Sequence, residues 1–105
     1  SIDFTSRTSV LATAKAFEDL GVTAYNGAGQ LISTTGNGPT YLTLAGKIVS
    51  VEARHAAIIA DLITPGTFAA TTDANGLDSA RTPAQVLAIA GTYITTQINA
   101  SNLPS

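Results

Sequence analysis

Two rows of mostly apolar residues at heptad spacing constrain this chain more than any other feature. The first row alternates steps of three and four residues through Leu11, Ala14, Glu18, Gly21, Tyr25, Ala28 and Ile32. The second row has the same spacing and runs through Tyr41, Ala45, Ile48, Glu52, His55, Ile59 and Leu62. Such steps place side chains along one side of a helix. We therefore predict two amphipathic helices, over about residues 6–33 and 39–63.

The segments around these helices predict a hairpin followed by a less regular region. Ser33 to Gly38 has the composition of a loop, and so short a loop makes the two helices antiparallel neighbours. Beyond the second helix, a long surface loop is expected, with Phe68 and Leu77 as its anchors. Thr82 to Gln85 is a capping box that opens a short third helix over residues 83–90. The predicted fold class is all-α, with an irregular C-terminal region.

The composition allows one small domain, spanning residues 1–105, and limits its partners. Charged residues make up 11% of the chain, against roughly 25% in typical soluble domains. Either Thr, Ser, Asn and Gly hydrate the surface in their place, or other protein covers much of it. The formal net charge of −2 gives no electrostatic basis for binding nucleic acid. No apolar run reaches the ~18 residues of a membrane span.

The chain contains no cysteine and no methionine, even at position 1. The absence of cysteine excludes disulfides, thiolate metal ligands and a thiol nucleophile. The absence of an initial methionine predicts a processed chain or a piece of a longer product. A make-up rich in Thr, Ser and Asn and poor in Lys favours an exported protein, either periplasmic or extracellular.

Glu18, Glu52 and His55 are the only glutamates and the only histidine of the chain, and all three interrupt the apolar rows. Glu52 and His55 are three residues apart and share one face of a helix. A carboxylate in an apolar row must be paired, protonated or bound to a cation, because burying a bare charge is very costly. A carboxylate on one helix and Glu-x-x-His on the next form half of the ligand set of a dinuclear carboxylate bundle, and these ligands suit iron, manganese or zinc.

Other interpretations of these residues stay open. The two glutamates could share a proton, or Glu52 could simply pair with His55 or with an arginine. A hydrolase triad is not indicated, because no serine has a histidine and an acid arranged around it. The residues alone do not decide whether the protein is an enzyme.

Two segments resemble the ferritin-like domain family that includes plant and bacterial desiccation-related proteins. Residues 17–28 (Phe-Glu-Asp-Leu-Gly-Val-Thr-Ala-Tyr-Asn-Gly-Ala) resemble one signature of that family, and residues 51–56 (Val-Glu-Ala-Arg-His-Ala) are similar to its segment on the following helix. The resemblance implies a four-helix bundle in which Glu18 is the third-helix carboxylate and a bridging or terminal ligand. It also implies that Glu52 is the bridging ligand and His55 a terminal nitrogen ligand of the fourth helix.

The family's first two helices, with their own Glu and Glu-x-x-His, have no counterpart in this chain. The resemblance therefore implies the C-terminal half of a bundle and half of a dimetal site. Three explanations are open: the chain is part of a longer protein, it pairs with a copy of itself, or it has given up metal and serves as a structural subunit.

Two functions follow as expectations. The first is a ferritin-like protein whose half metal site binds iron, manganese or zinc, or oxidises ferrous iron, once a second chain or segment completes it. The alternative is a non-catalytic structural or surface assembly subunit, without metal, that self-associates through its apolar helix faces. The partner would be a second copy in a homo-oligomer or a missing N-terminal half.

Overall fold

A computed structural model describes residues 2–104, so Ser1 and Ser105, the ends of the predicted domain, lie outside the described residues. Three helices follow in order: α1 (Arg7–Gly29), α2 (Gly38–Ile63) and α3 (Pro83–Ala90). Between residues 2 and 104 the only extended pairing is an isolated bridge between Thr72 and Asp78. The predicted all-α fold class is confirmed. None of the described helices is long and apolar enough to span a membrane.

Local chemistry explains where α1 and α3 begin. Ser6 caps α1, because its side chain accepts a hydrogen bond from the Ser9 backbone N–H at 3.3 Å. The capping box predicted for α3 is present: the Gln85 N–H donates to Thr82 Oγ1, and the Thr82 N–H donates to Gln85 Oε1. These caps satisfy backbone groups that a helix start would otherwise leave unpaired.

The ends of the hairpin loop differ from the predicted positions. We expected the first helix to reach residue 33, but α1 ends at Gly29, so Ile32 lies outside it. Gly27 and Gly29 lower the helix propensity at this end by roughly 1 kcal/mol each relative to alanine, and the apolar spacing alone does not reveal that cost. α2 begins at Gly38, one residue before the predicted start.

α1 and α2 pack against each other as an antiparallel hairpin, as predicted. Arg7, at the start of α1, donates from Nη2 to the Leu62 carbonyl oxygen at the end of α2, at 3.4 Å. At the other end of the hairpin, Gly29 faces the Leu42 side chain. The two contacts place opposite ends of the helices side by side.

The segment between α2 and α3 returns across α1 and is fixed there by three hydrogen bonds. Residues 79–81, here called the strap, contribute two donors and one acceptor to these bonds. The Arg81 N–H donates to the Thr23 carbonyl oxygen at 3.0 Å, and Arg81 Nη1 donates to Thr23 Oγ1 at 2.6 Å. Asn26 Nδ2 donates to the Ser79 carbonyl oxygen at 3.2 Å. Because α3 also packs on α1, the C-terminal region covers α1 and leaves much of α2 open.

The predicted anchors of the long loop are wrong. Phe68 is 65% exposed and Leu77 is 64% exposed, so neither side chain holds the loop by burial. A tight turn does so instead: the Asp73 carboxylate accepts hydrogen bonds from the Leu77 and Asn75 N–H groups at 3.0 and 2.8 Å. These bonds hold the pKa of Asp73 below its ordinary value, since they favour the charged form.

Candidate functional site

The hairpin brings all three predicted ligand residues to one face. Glu18 is the middle residue of α1, while Glu52 and His55 lie one turn apart on α2. His55 Nδ1 lies 3.4 Å from Glu18 Oε1. Together with Leu44, Lys47, Ile48 and Val51, the three line an open cavity of about 460 Å³. Its lining combines three apolar residues of α2 with four polar or charged side chains.

One carboxylate oxygen of Glu52 is buried without a hydrogen-bond partner in the described chain. Its Oε2 is sealed from solvent and has no hydrogen-bond partner among residues 2–104. A Cβ on Gly21 would overlap the same oxygen, so the carboxylate lies directly against the backbone of α1. An unpaired carboxylate oxygen buried in this way calls for a proton or a cation.

The pKa of Glu52 reflects these surroundings. Burial raises the pKa of Glu52 above its ordinary value, and the neighbouring Glu18 carboxylate raises it further. His55 acts in the opposite direction and only partly offsets the two. Glu52 therefore favours the protonated state more than an exposed glutamate does.

Glu52 takes no part in the close contacts between acidic and basic side chains of the described chain. Lys15 forms an ion pair with Asp19, and His55 Nδ1 lies beside Glu18 Oε1. Arg54, the arginine nearest in sequence to Glu52, instead donates from Nη1 to Ser50 Oγ at 2.9 Å. Pairing of Glu52 with an arginine, one of the open interpretations, thus has no counterpart in the structure.

The three residues fit a metal in kind but not in arrangement. Carboxylate oxygens and an imidazole nitrogen are ligands that iron, manganese and zinc accept, and the orphaned oxygen of Glu52 would gain a partner. Across the described residues, however, no group of three or more His, Cys, Asp or Glu side chains is arranged so that it could hold a metal ion alone.

The sequence did not indicate that Lys47 and Gly21 belong to the site. Lys47 is not a member of the apolar row of α2, yet it lines the cavity with Glu18 and Glu52. Lys47 lies four residues before Val51, which also lines the cavity. This spacing places both side chains on one face of α2 and could have indicated the position of Lys47. Gly21 was predicted only as a member of the first apolar row. The structure places the Glu52 carboxylate directly against it.

A second cavity, of about 200 Å³, lies between the hairpin and the loop after α2. Its carboxylates are already paired, since Asp19 bonds Lys15 and Asp78 accepts from Thr71 Oγ1 at 2.9 Å. Its α2 wall consists of alanines: Ala53, Ala56, Ala57 and Ala60. Without an unpaired polar group, this cavity offers less chemistry than the face around Glu52.

Comparison with known proteins places the hairpin in a family. The family model described as Ferritin-like domain matches residues 1–65, which is more than half of the chain. The chain belongs to the ferritin-like domain family. The match includes both long helices and all three predicted ligand residues, whereas the strap and α3 lie beyond it. No curated protein and no solved structure matches the chain.

Proposed function

We propose that this ferritin-like protein supplies half of a carboxylate/histidine metal site, with Glu18, Glu52 and His55 as its ligands. The observation that carries the proposal is the sealed, unpaired Oε2 of Glu52, on the face where His55 meets Glu18. A charge in that position is costly unless a proton or a cation neutralises it. Membership of the ferritin-like family favours the cation.

Each ligand has a distinct part in this proposal. Glu52, which reaches across to α1, would be the bridging carboxylate, and Glu18 would be a second carboxylate that bridges or binds terminally. His55 would supply the terminal nitrogen ligand. Iron is the proposed metal, with manganese or zinc as alternatives, and bound iron would supply the chemistry for oxidation of ferrous iron by oxygen.

The finer classification of the chain is also a proposal. The segments 17–28 and 51–56 support the desiccation-related type and the C-terminal half of its bundle. The composition, rich in Thr, Ser and Asn, supports an exported protein.

A non-catalytic assembly subunit is the second candidate function. One observation favours it: α2 exposes a series of large apolar side chains, whereas only Gly38 and Ala60 of this helix are buried. A surface of this kind is typical of protein–protein contact. In this alternative, the Glu52 carboxyl is neutralised by a proton and the helix faces serve association alone.

Metal analysis separates the two candidates. We would purify the protein without chelators, measure its iron, manganese and zinc, and titrate metal-stripped protein with each ion. The metal-site proposal predicts binding that Glu52→Ala and His55→Ala each weaken by roughly 10-fold or more, since each removes a ligand. Asp78→Asn, a carboxylate change outside this face, should leave the affinity unchanged.

One outcome of the metal analysis would contradict the metal-site proposal. If the native protein carries none of these metals, and neither ligand substitution alters binding of added metal, the metal-site proposal is wrong. The assembly function would then be the better account of the apolar helix faces.

A further inference from the structure

Three of the five asparagines in this chain stand directly before a glycine. The pairs are Asn26-Gly27, Asn37-Gly38 and Asn75-Gly76. An asparagine can react with its own backbone, because the nitrogen of the next residue can attack the side-chain carbonyl carbon and release ammonia. Glycine favours this attack, since it has no side chain to shield its nitrogen and leaves the backbone free to turn. The three pairs therefore differ in reactivity chiefly through the structure around them.

The structure holds Asn26 away from this reaction. Asn26 lies within α1, whose regular backbone angles keep the Gly27 nitrogen from turning towards the asparagine side chain. Asn26 Nδ2 also donates to the Ser79 carbonyl oxygen at 3.2 Å, and Gly27 is buried. The attack therefore requires the end of α1 to unwind and the strap to detach.

Asn37 is held at the start of α2. It is the N-cap residue of that helix, and its carbonyl oxygen accepts a hydrogen bond from the Tyr41 N–H at 3.0 Å. Gly38 is buried, and a Cβ there would overlap the Ser33 carbonyl oxygen, so its backbone is closely packed in the hairpin loop. Turning the Gly38 nitrogen towards the Asn37 side chain would disrupt both the helix start and this packing.

Asn75 lies in an exposed turn instead. Residues 71–80 are all exposed, so both members of the pair are open to water. A Cβ on Gly76 would meet nothing within 4 Å. The attacking nitrogen is held by a hydrogen bond of the turn itself, in which the Gly76 N–H donates to the Asp73 carbonyl oxygen at 3.0 Å. An exposed turn opens far more readily than a helix end unwinds.

We propose that Asn75 is a site of spontaneous modification, at which this asparagine is converted to aspartate and isoaspartate. The Gly76 nitrogen forms a bond to Asn75 Cγ while the bond from Cγ to Nδ2 breaks, and the amide leaves as ammonia with the proton of the Gly76 N–H. Water then opens the resulting five-membered succinimide ring at either carbonyl carbon. One opening gives aspartate, and the other gives isoaspartate, whose main chain passes through Cβ and Cγ.

The product would loosen the turn in which it forms. In the intact turn, the Asp73 carboxylate accepts hydrogen bonds from the Asn75 and Leu77 N–H groups at 2.8 and 3.0 Å. A new carboxylate at position 75 repels Asp73, and isoaspartate also lengthens the main chain by one carbon atom. Thr72 and Asp78, which flank the turn, pair with each other and line the cavity of about 200 Å³ beneath the loop. We therefore expect the modification to loosen one wall of that cavity.

Peptide mapping of the aged full-length protein tests the proposal. Trypsin cleaves after Arg54 and Arg81 and releases residues 55–81, in which Asn75 is the sole asparagine and no glutamine occurs. Asn26 and Asn37 lie in a separate peptide, residues 16–47. After incubation of the folded protein at neutral pH, we expect conversion at Asn75 to be at least about 10-fold faster than at either other pair, because exposed turns open most readily. Mass spectrometry detects the replacement of ammonia by water, and chromatography separates the aspartate and isoaspartate forms.

The unfolded chain and one variant are the matched controls. In guanidinium chloride the three pairs should react at similar rates, because the structure that protects two of them is gone. Asn75→Gln should abolish the change in residues 55–81, since glutamine would have to form a larger and less favourable ring. Amide hydrogen exchange at Leu77 should become faster as the wild type ages and stay constant in this variant.

Two outcomes would overturn the proposal. One is conversion of Asn75 in the folded protein at no greater rate than that of Asn26 or Asn37. The other is an Asn75 that stays intact in the folded protein over the time in which the unfolded chain is fully converted, since the turn would then protect it.

Discussion

The carboxylate of Glu52 lies against the backbone of α1 at Gly21, so closely that a single methyl group there would overlap Glu52 Oε2. Glycine permits this approach because it has no Cβ. The row of α1 therefore has a glycine at the position where α2 places a carboxyl group against it. The glycine and the glutamate form one structural unit, although 31 positions separate them in the sequence.

We predict that Gly21→Ala displaces the Glu52 carboxylate without unfolding the hairpin. The atom that must move is the far end of a flexible side chain, and alanine is the better helix former by roughly 1 kcal/mol. Helix content should stay the same, while the pKa of Glu52 should fall towards its ordinary value as the carboxyl meets water. An NMR titration of the Glu52 carboxyl carbon measures that pKa, and metal affinity should drop with it.

Gly46→Ala is the matched control for this change. Gly46 lies within α2, and a Cβ there would meet nothing within 4 Å. It should stabilise the protein by about 0.5–1 kcal/mol and leave both the Glu52 titration and metal binding unchanged. An unshifted Glu52 pKa in Gly21→Ala would show that the contact with Gly21 has no influence on the carboxyl group.

Stability of the metal-free protein should decrease as pH rises through the titration of Glu52. The pKa of Glu52 is raised in the folded state, first by burial and then by Glu18. The folded protein therefore holds this proton more tightly than the unfolded chain. The resulting stabilisation is complete below the ordinary glutamate value of 4.5 and is lost as pH rises through the folded-state pKa. Urea unfolding over a pH series, at fixed protein concentration, measures the slope.

Glu52→Gln removes the ionisation and should remove its share of that slope. At neutral pH the metal-free variant should be more stable than wild type, by on the order of 1 kcal/mol, because no charge is buried. At pH values where Glu52 is protonated in both folded and unfolded protein, the two proteins should converge. Equal stability of variant and wild type at every pH would contradict the assigned effect of burial.

The hairpin and the grouping of Glu18, Glu52 and His55 were predictable from the sequence because both follow from local periodicity. Heptad steps gave α1 and α2, and the three-residue spacing put Glu52 and His55 on one face. A short loop between helices of similar length then placed Glu18 opposite them. The end of α1 was less predictable, because the apolar spacing continues to Ile32 after the helix has ended at Gly29.

The strap could not be predicted, because long-range hydrogen bonds leave no periodic signal. Thr23, Asn26 and Gly27 belong to the segment that carries the family resemblance. In the structure they have a different function from the ligand residues: Thr23 and Asn26 bond the strap, and a Cβ on Gly27 would overlap the Arg81 carbonyl oxygen. Three of the twelve residues of that segment thus contact the C-terminal region rather than the site.

We predict that Gly27→Ala destabilises the protein by about 1–3 kcal/mol at fixed protein concentration. The added Cβ meets backbone rather than a flexible side chain, so the strap must shift and weaken its bonds to Thr23. Urea unfolding measures the loss. Amide hydrogen exchange should show faster exchange at Arg81, whose N–H the Thr23 carbonyl accepts.

Gly29→Ala provides the comparison within the same helix end. A Cβ at Gly29 would lie 3.8 Å from Leu42 Cδ1, an ordinary contact, so stability should be unchanged or higher by up to about 1 kcal/mol. If both variants lose the same stability, loss of glycine flexibility would explain the effect, and the strap contact would not.

The Phe17 and Tyr93 rings connect α1 to the chain after α3, and their coupling is measurable. The ring centroids lie 4.7 Å apart with planes tilted by 48°, a geometry in which aromatic pairs attract beyond simple burial. A double-mutant cycle of Phe17→Ala and Tyr93→Ala should give a coupling free energy of about 0.5–1.5 kcal/mol. Phe4→Ala paired with Tyr93→Ala should give none, because Phe4 is 79% exposed and has no ring partner in the described chain. If the effects of Phe17→Ala and Tyr93→Ala are additive, the two rings are not coupled, and the C-terminal region contacts α1 through the strap and α3 alone. Tyr93→Ala would then leave the amide hydrogen exchange of α1 unaltered.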